Sequence, residues 1–216
     1  MTPLSCLLAA ALFACGGDDT DPGLPLSTGV GLDQLVLQGA VASNGSLLQV
    51  TVTPLGPEGQ VELTAPDRVD VFTADGATQR MVLGPDLQAH AQLLSSAASV
   101  ELVWQRDDAE GMRTTVVGPE PFIVTTDGDT LPIELSWTAS APDAMQVEVF
   151  GPCLQTPVLR VLPAGTDAWS LQAGDLLLND DAQLCPLVAR VTRFGTVTNG
   201  LVFDQVRTLS LDPELP

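Results

Sequence analysis

The sequence predicts an all-β protein made of two β-sandwiches in tandem, and three observations carry that expectation. Short runs of alternating apolar and polar residues recur along the chain, the period of two that suits a half-buried strand. Turn dipeptides such as Asn44-Gly45 and Asp75-Gly76 separate the runs, and helical periodicity is almost absent. Near the middle, Gly118-Pro119-Glu120-Pro121 breaks the pattern with two prolines that cannot donate to a ladder, which marks a boundary between residues 31–118 and 119–216. A single jelly roll of about 180 residues is the rival arrangement.

The first element is an address. Residues 7–14 are all apolar, a length that suits the core of an export signal and falls far short of the ~20 residues a spanning helix needs. Cys15 closes the run, and Gly16-Gly17-Asp18-Asp19 follow at once. The stretch Leu12-Phe13-Ala14-Cys15 resembles the lipobox of a bacterial secreted lipoprotein. That resemblance implies a signal peptide over residues 1–14, removed by cleavage after Ala14, and a lipid on the sulfur and amine of Cys15. Gly16 stands where an Asp would favour inner-membrane retention, so the resemblance implies the outer membrane. Residues 15–30 then read as the lipidated Cys and a flexible acidic tether, rich in Gly, Asp, Pro, Thr and Ser, which would span roughly 20 Å on average.

Strands follow in order. Leu35, Leu37 and Val41 lead to Asn44-Gly45, and Leu48, Val50 and Val52 return on period two, a hairpin. Val69 and Val71 run to Asp75-Gly76, with Met81 and Leu83 beyond. Val100, Leu102 and Trp104 run to a loop at residues 107–111 before Arg113 to Val117. Between these hairpins residues 85–98 stay open: Leu87, His90, Ala91, Leu94 and Ala98 share a helical face, while Leu87, Ala89, Ala91 and Leu93 alternate. The second half holds about seven strands, near residues 122–126, 133–137, 145–149, 158–162, 168–171, 187–194 and 201–211. In strand count and spacing it resembles an immunoglobulin-like or fibronectin-III-like sandwich.

Charge and cysteines narrow the function. The net charge is −19 and all eight basic residues are Arg. Such a surface repels polyanions, so neither nucleic acid nor acidic lipid headgroups are expected partners. Once Cys6 leaves with the signal and Cys15 takes lipid, Cys153 and Cys185 remain. In an oxidising compartment they are expected to form a disulfide, worth about 3 to 4 kcal/mol on the chain-entropy estimate. A pair of metal-binding thiolates is the alternative. In an immunoglobulin-like sandwich the third and sixth strands are antiparallel neighbours, and the resemblance implies that Cys153 and Cys185 staple one end of that pair.

No chemical constellation assembles from the sequence. His90 is the only His, and no Gly-x-Ser-x-Gly accompanies it, so catalysis by a Ser-His pair is not expected. A His-based zinc site lacks ligands. Asp127-Gly128-Asp129, the run 107–110 and Asn179-Asp180-Asp181 fall in expected loops, where calcium ligation competes with a plain turn role. Trp104, Trp137 and Trp169 fit strand or core positions, and with aromatics at 4% and no Tyr a sugar-stacking platform is poorly supplied. The expectation is a non-enzymatic envelope lipoprotein without cofactor or metal, held to the membrane by its lipid and presenting its sandwiches for protein binding or surface assembly. The alternative is a lipid-anchored carbohydrate-binding module or hydrolase with a loop-built site.

Overall fold

The computed structural model describes residues 23–138, 143–179 and 186–213. Within them the chain is all-β, and its side chains gather into two hydrophobic cores rather than the single core of a jelly roll.

The first core is enclosed by β1 (Val36–Ser43), β2 (Leu47–Gly56), β3 (Gly59–Gln60), β4 (Asp67–Thr73), β5 (Thr78–Arg80), β6 (Val82–Leu83), β7 (Ala89–Leu94), β8 (Ser99–Arg106) and β9 (Ala109–Val117). Three hairpins form where expected, β1 with β2, β4 with β5 and β8 with β9, but the second returns on Thr78–Arg80 and Leu83, expected beside it, belongs to β6 in the other sheet. One sheet runs β5-β4-β8-β9, and facing it lie β1, β2, β7 and β6. The chain changes sheets at Met81, which is buried between β5 on β4 and β6 on β7. The register shift between Val103 and Gln105 adds a residue to β9, while β8 stays in unbroken register with β4, so Leu102 and Trp104 join the core by alternation and Val103 is buried on the other face.

Residues 85–98, left open by the sequence, resolve as the strand β7. Ala89, Ala91 and Leu93 face the core, and the strand fills the flank between β2 and β6, an edge that a helix would leave unpaired. A correction concerns the tether. Residues 25–30 are packed on the first sandwich: Ser27 is buried, its N–H donates to the Glu62 carbonyl at 2.8 Å, and Leu26 bridges to Glu62. Arg106 fixes them further by donating to the carbonyls of Ser27 at 2.7 Å and Val30 at 3.1 Å. A segment of low periodicity is held here by backbone bonds rather than by a buried face, and composition does not register such bonds.

The second core is enclosed by β10 (Val124–Thr126), β11 (Ile133–Trp137), β12 (Met145–Phe150), β13 (Val158–Leu162), β14 (Ala168–Leu171), β15 (Leu187–Arg193) and β16 (Leu201–Leu211). Its sheets are β10-β11-β14 and β13-β12-β15-β16. Taken as seven strands in order, the first, second and fifth form one sheet and the fourth, third, sixth and seventh the other, the arrangement of a fibronectin-III-like sandwich.

The sandwiches share a strand. The first part of β16 pairs in parallel with β1, Gly39 opposite Leu201 and Ser43 opposite Gln205, while its later part pairs antiparallel with β15. This merges one sheet from each sandwich into a nine-stranded sheet, β13-β12-β15-β16-β1-β2-β7-β6 with β3 beside β2. Leu201 and Phe203 belong to the first core and Leu211 to the second. Close approach helps the join at Gly118, where a Cβ would meet the Phe203 ring of β16 at 2.8 Å.

Candidate functional site

Two places bring chemically capable side chains together. The first is the junction of the sandwiches. The segment at Pro119 to Phe122 leaves the first core without ladder donors at its prolines, and arginines from β15 and β16 take it up. The Arg193 guanidinium lies 4.6 Å from the Phe122 ring centre and that of Arg207 lies 5.2 Å from it, two cations on one aromatic ring. Arg193, only 1% exposed, donates to the carbonyls of Glu120, at 2.7 Å, and of Thr138. Arg207 donates to the Phe122 carbonyl at 2.8 Å and the Ser43 carbonyl at 3.3 Å, so one side chain binds both the connecting segment and β1.

Burial pulls both guanidinium groups below their ordinary pKa, with Arg193 adding to the effect on Arg207 and Asp143 and Glu120 opposing it at Arg193. Carbonyl oxygens and a ring face rather than carboxylates satisfy these charges, and the Arg193 Nε has no hydrogen-bond partner. What this arrangement does is hold two bodies in one orientation. Sequence reasoning missed it, although an Arg standing in each of two otherwise apolar strand alternations is a legible signal.

The second place is on the outer face of β2 and β7. His90 stands opposite Thr51, and its Nδ1 lies 3.2 Å from the Thr51 Oγ1 while its Nε2 lies 3.0 Å from the Asp86 Oδ1. Hydroxyl, imidazole and carboxylate in that order match the logic of an activated nucleophile. The hollow beside Thr51 and His90, about 420 Å³, is lined also by Gln49, Gln79 and Gln92, and Asp86 does not line it. Two features set it apart from a working site. The His90 and Asp86 side chains are 42% and 50% exposed, and Thr51 lies in mid-strand, its backbone in register with β1 on one side and β7 on the other. Backbone groups committed to ladders on both sides do not form an oxyanion hole. The hydrogen bond from His90 holds the Asp86 carboxyl below its ordinary pKa against the opposing effect of burial, and the Gln88 N–H adds to the lowering.

The remaining sequence candidates disperse. Asp127 accepts from the Glu134 N–H at 2.8 Å, Gly128 supplies a positive φ, and Glu110 pairs with Arg113 at 2.7 Å, all turn or surface roles. Among the described residues no group of three His, Cys, Asp or Glu is placed to hold a metal ion. Trp104 and Trp137 are buried in the cores, and Trp169 packs partly buried against the second. Cys153 is buried in the second core, just past β12; Cys15, Cys185, Asp180 and Asp181 lie outside the described residues.

No protein-family model matches the chain, and no curated protein matches it. Among solved structures it is similar to a cytokine receptor complex, at 13% identity over 81% of this chain and 94% of that one, with a TM-score of 0.32. It is similar also to a segment of two fibronectin type-III domains from chicken tenascin, at 14% identity over 82% and 97%, TM-score 0.29. A third likeness is to the Yersinia pseudotuberculosis adhesin InvE, at 12% identity over 85% of this chain and 60% of that one, TM-score 0.29. These likenesses are loose, and the assignment of an all-β sandwich fold rests on the strand order described above.

Proposed function

We propose that this protein is a lipid-anchored envelope protein of the outer membrane that presents two fused β-sandwiches to a protein partner and catalyses no reaction. The observation that carries the reading is the construction of the molecule: its arginines are engaged internally, and the shared strand β16 makes a tandem pair into one extended, fixed surface. The acidic stretch after Cys15 runs into residues 25–30, which are bound to the first sandwich, so an anchor at Cys15 connects to the base of β1. A Cys153–Cys185 disulfide belongs to the same reading. β12 and β15 are antiparallel neighbours with Phe150 opposite Val188, so the end of the strand preceding Cys153 lies beside the start of the strand that follows Cys185.

Membrane fractionation tests the anchor. Wild-type protein is expected in the membrane fraction with lipid mass on Cys15, and Cys15→Ser is expected to release it or stall its processing; unchanged mass and association would overturn the reading. The second reading, a hydrolase, rests on Thr51, His90 and Asp86. Turnover of an activated ester that disappears in His90→Ala would favour it.

A further inference from the structure

We propose that the parallel ladder between β1 and β16 is a shear clamp, which keeps the sandwiches joined when the second is pulled away from the anchored N-terminal side. The direction of load rests on the anchor reading above. The geometry of the clamp does not.

Strand directions decide how such a load is carried. β1 runs from Val36 to Ser43 and β16 from Leu201 to Leu211, and they pair in parallel from Gly39–Leu201 to Ser43–Gln205. A pull from the N-terminal side enters β1 at Val36. A pull on the second sandwich enters β16 beyond Gln205, where β15 holds residues 205–211. The two forces therefore point in opposite directions along the strands and act at opposite ends of the ladder. Hydrogen bonds lying across the strands are then strained together, whereas a pull that parts the strands from one end breaks them in turn.

The ladder is continuous and its flanks are fixed. The Gly39 N–H donates to the Gly200 carbonyl at 3.1 Å, and the alternation of a parallel pair assigns the following donors to Val202, Val41, Asp204 and Ser43. β2 holds the other side of β1 along all eight of its residues. Leu201 and Phe203 are fully buried in the first core, so β16 cannot slide without drawing them out. At the end where peeling would begin, Arg207 ties β16 to the last carbonyl of β1 at Ser43.

Single-molecule force spectroscopy on the full chain tests the clamp, with handles in two geometries. Handles at the two chain ends load the ladder in shear; handles at the exposed Asn44 and Thr208 sit beyond the same end of the ladder and peel it. Forced rupture reads unfolding kinetics, and the end-to-end geometry is expected to need about twice the force of the peeling geometry or more. Val202→Pro removes one donor from the ladder and is expected to lower the end-to-end force while leaving the peeling force nearly unchanged. Equal forces in the two wild-type geometries would overturn the clamp, whether or not the proline variant folds. So would an unchanged end-to-end force in a folded Val202→Pro protein. Neither measurement depends on lipid, so loss of the clamp and loss of the anchor are read in different experiments.

Discussion

Asp204 sits on β16 opposite Ala42 of β1, and burial raises its carboxyl pKa above the ordinary value, with the hydrogen bond from the Gly195 N–H, at 2.9 Å, only partly offsetting this. A carboxyl whose folded pKa exceeds its unfolded one favours the fold while protonated, and that advantage is lost as pH rises through the folded value. At neutral pH the ionised group therefore works against the fold. Asp204→Asn keeps an acceptor for Gly195 and removes the charge, so its melting temperature at pH 7 should exceed that of the wild type. The difference should shrink as pH falls below the ordinary carboxylate range, where Asp204 is protonated in both states. A gain that stays constant across that range would place the effect in packing rather than ionisation. At this scale the sequence was readable wherever side chains obey alternation: the core places of Val41, Val50, Trp104 and Trp137 follow from period two. Arg193 and Arg207 stand out as charges at inward strand positions, but their partners were not readable, because these are carbonyls of a connecting segment far away in the chain and no local pattern encodes those contacts.

Among the elements, the strands were more legible than what lies between them. Period-two alternation and turn dipeptides located the hairpins because both are local physics, whereas β7 was ambiguous because Ala and Leu suit either period and only its neighbours β2 and β6 decide. The N-terminal segment was misread for a related reason: it is held by Arg106, which lies in β8. Arg106 also makes a two-pronged pair with Asp67, at 2.6 and 2.9 Å, and the Asp67 side chain is fully buried. Burial alone would raise the Asp67 pKa, but hydrogen bonds from Arg106 and Ser27 outweigh it and hold the carboxyl below its ordinary value. Removing the cation leaves a buried charge alone, so Arg106→Ala should cost about 3 to 5 kcal/mol in denaturant unfolding. It should also raise amide exchange in residues 25–30. Stability equal to wild type, or protection unchanged there, would show that the segment is held by its own backbone bonds alone. Arg106→Lys should recover only part of the loss, since an ammonium does not match the two-pronged geometry.

For the whole molecule, the sequence boundary at residues 118–121 falls between the two cores, yet the cores do not divide there. Leu201 and Phe203, fully buried, complete the first from the far end of the chain. Nothing in their neighbourhood distinguishes them from residues of the second sandwich, so a boundary read from composition assigns them to the wrong side. Residues 23–118 expressed alone should therefore lack native near-ultraviolet signal, and the intact chain should unfold in one transition rather than two. Phe203→Ala, placed in the second half by sequence, should cost about 3 to 5 kcal/mol, and the loss should appear in amide exchange of β2 and β7. A folded 23–118 fragment, or a Phe203→Ala effect confined to residues after 122, would separate the sandwiches after all. The shared strand also governs the order of assembly. A ribosome delivers β1 long before β16, so all the strands between them must be made before these two can meet, a contact of very long sequence separation. Until then β1 keeps an unpaired edge, the kind of surface that recruits other chains. Nascent protein stalled just short of residue 201 should thus be the most aggregation-prone species in the life of this molecule, and a chaperone that shields strand edges should matter most at that moment.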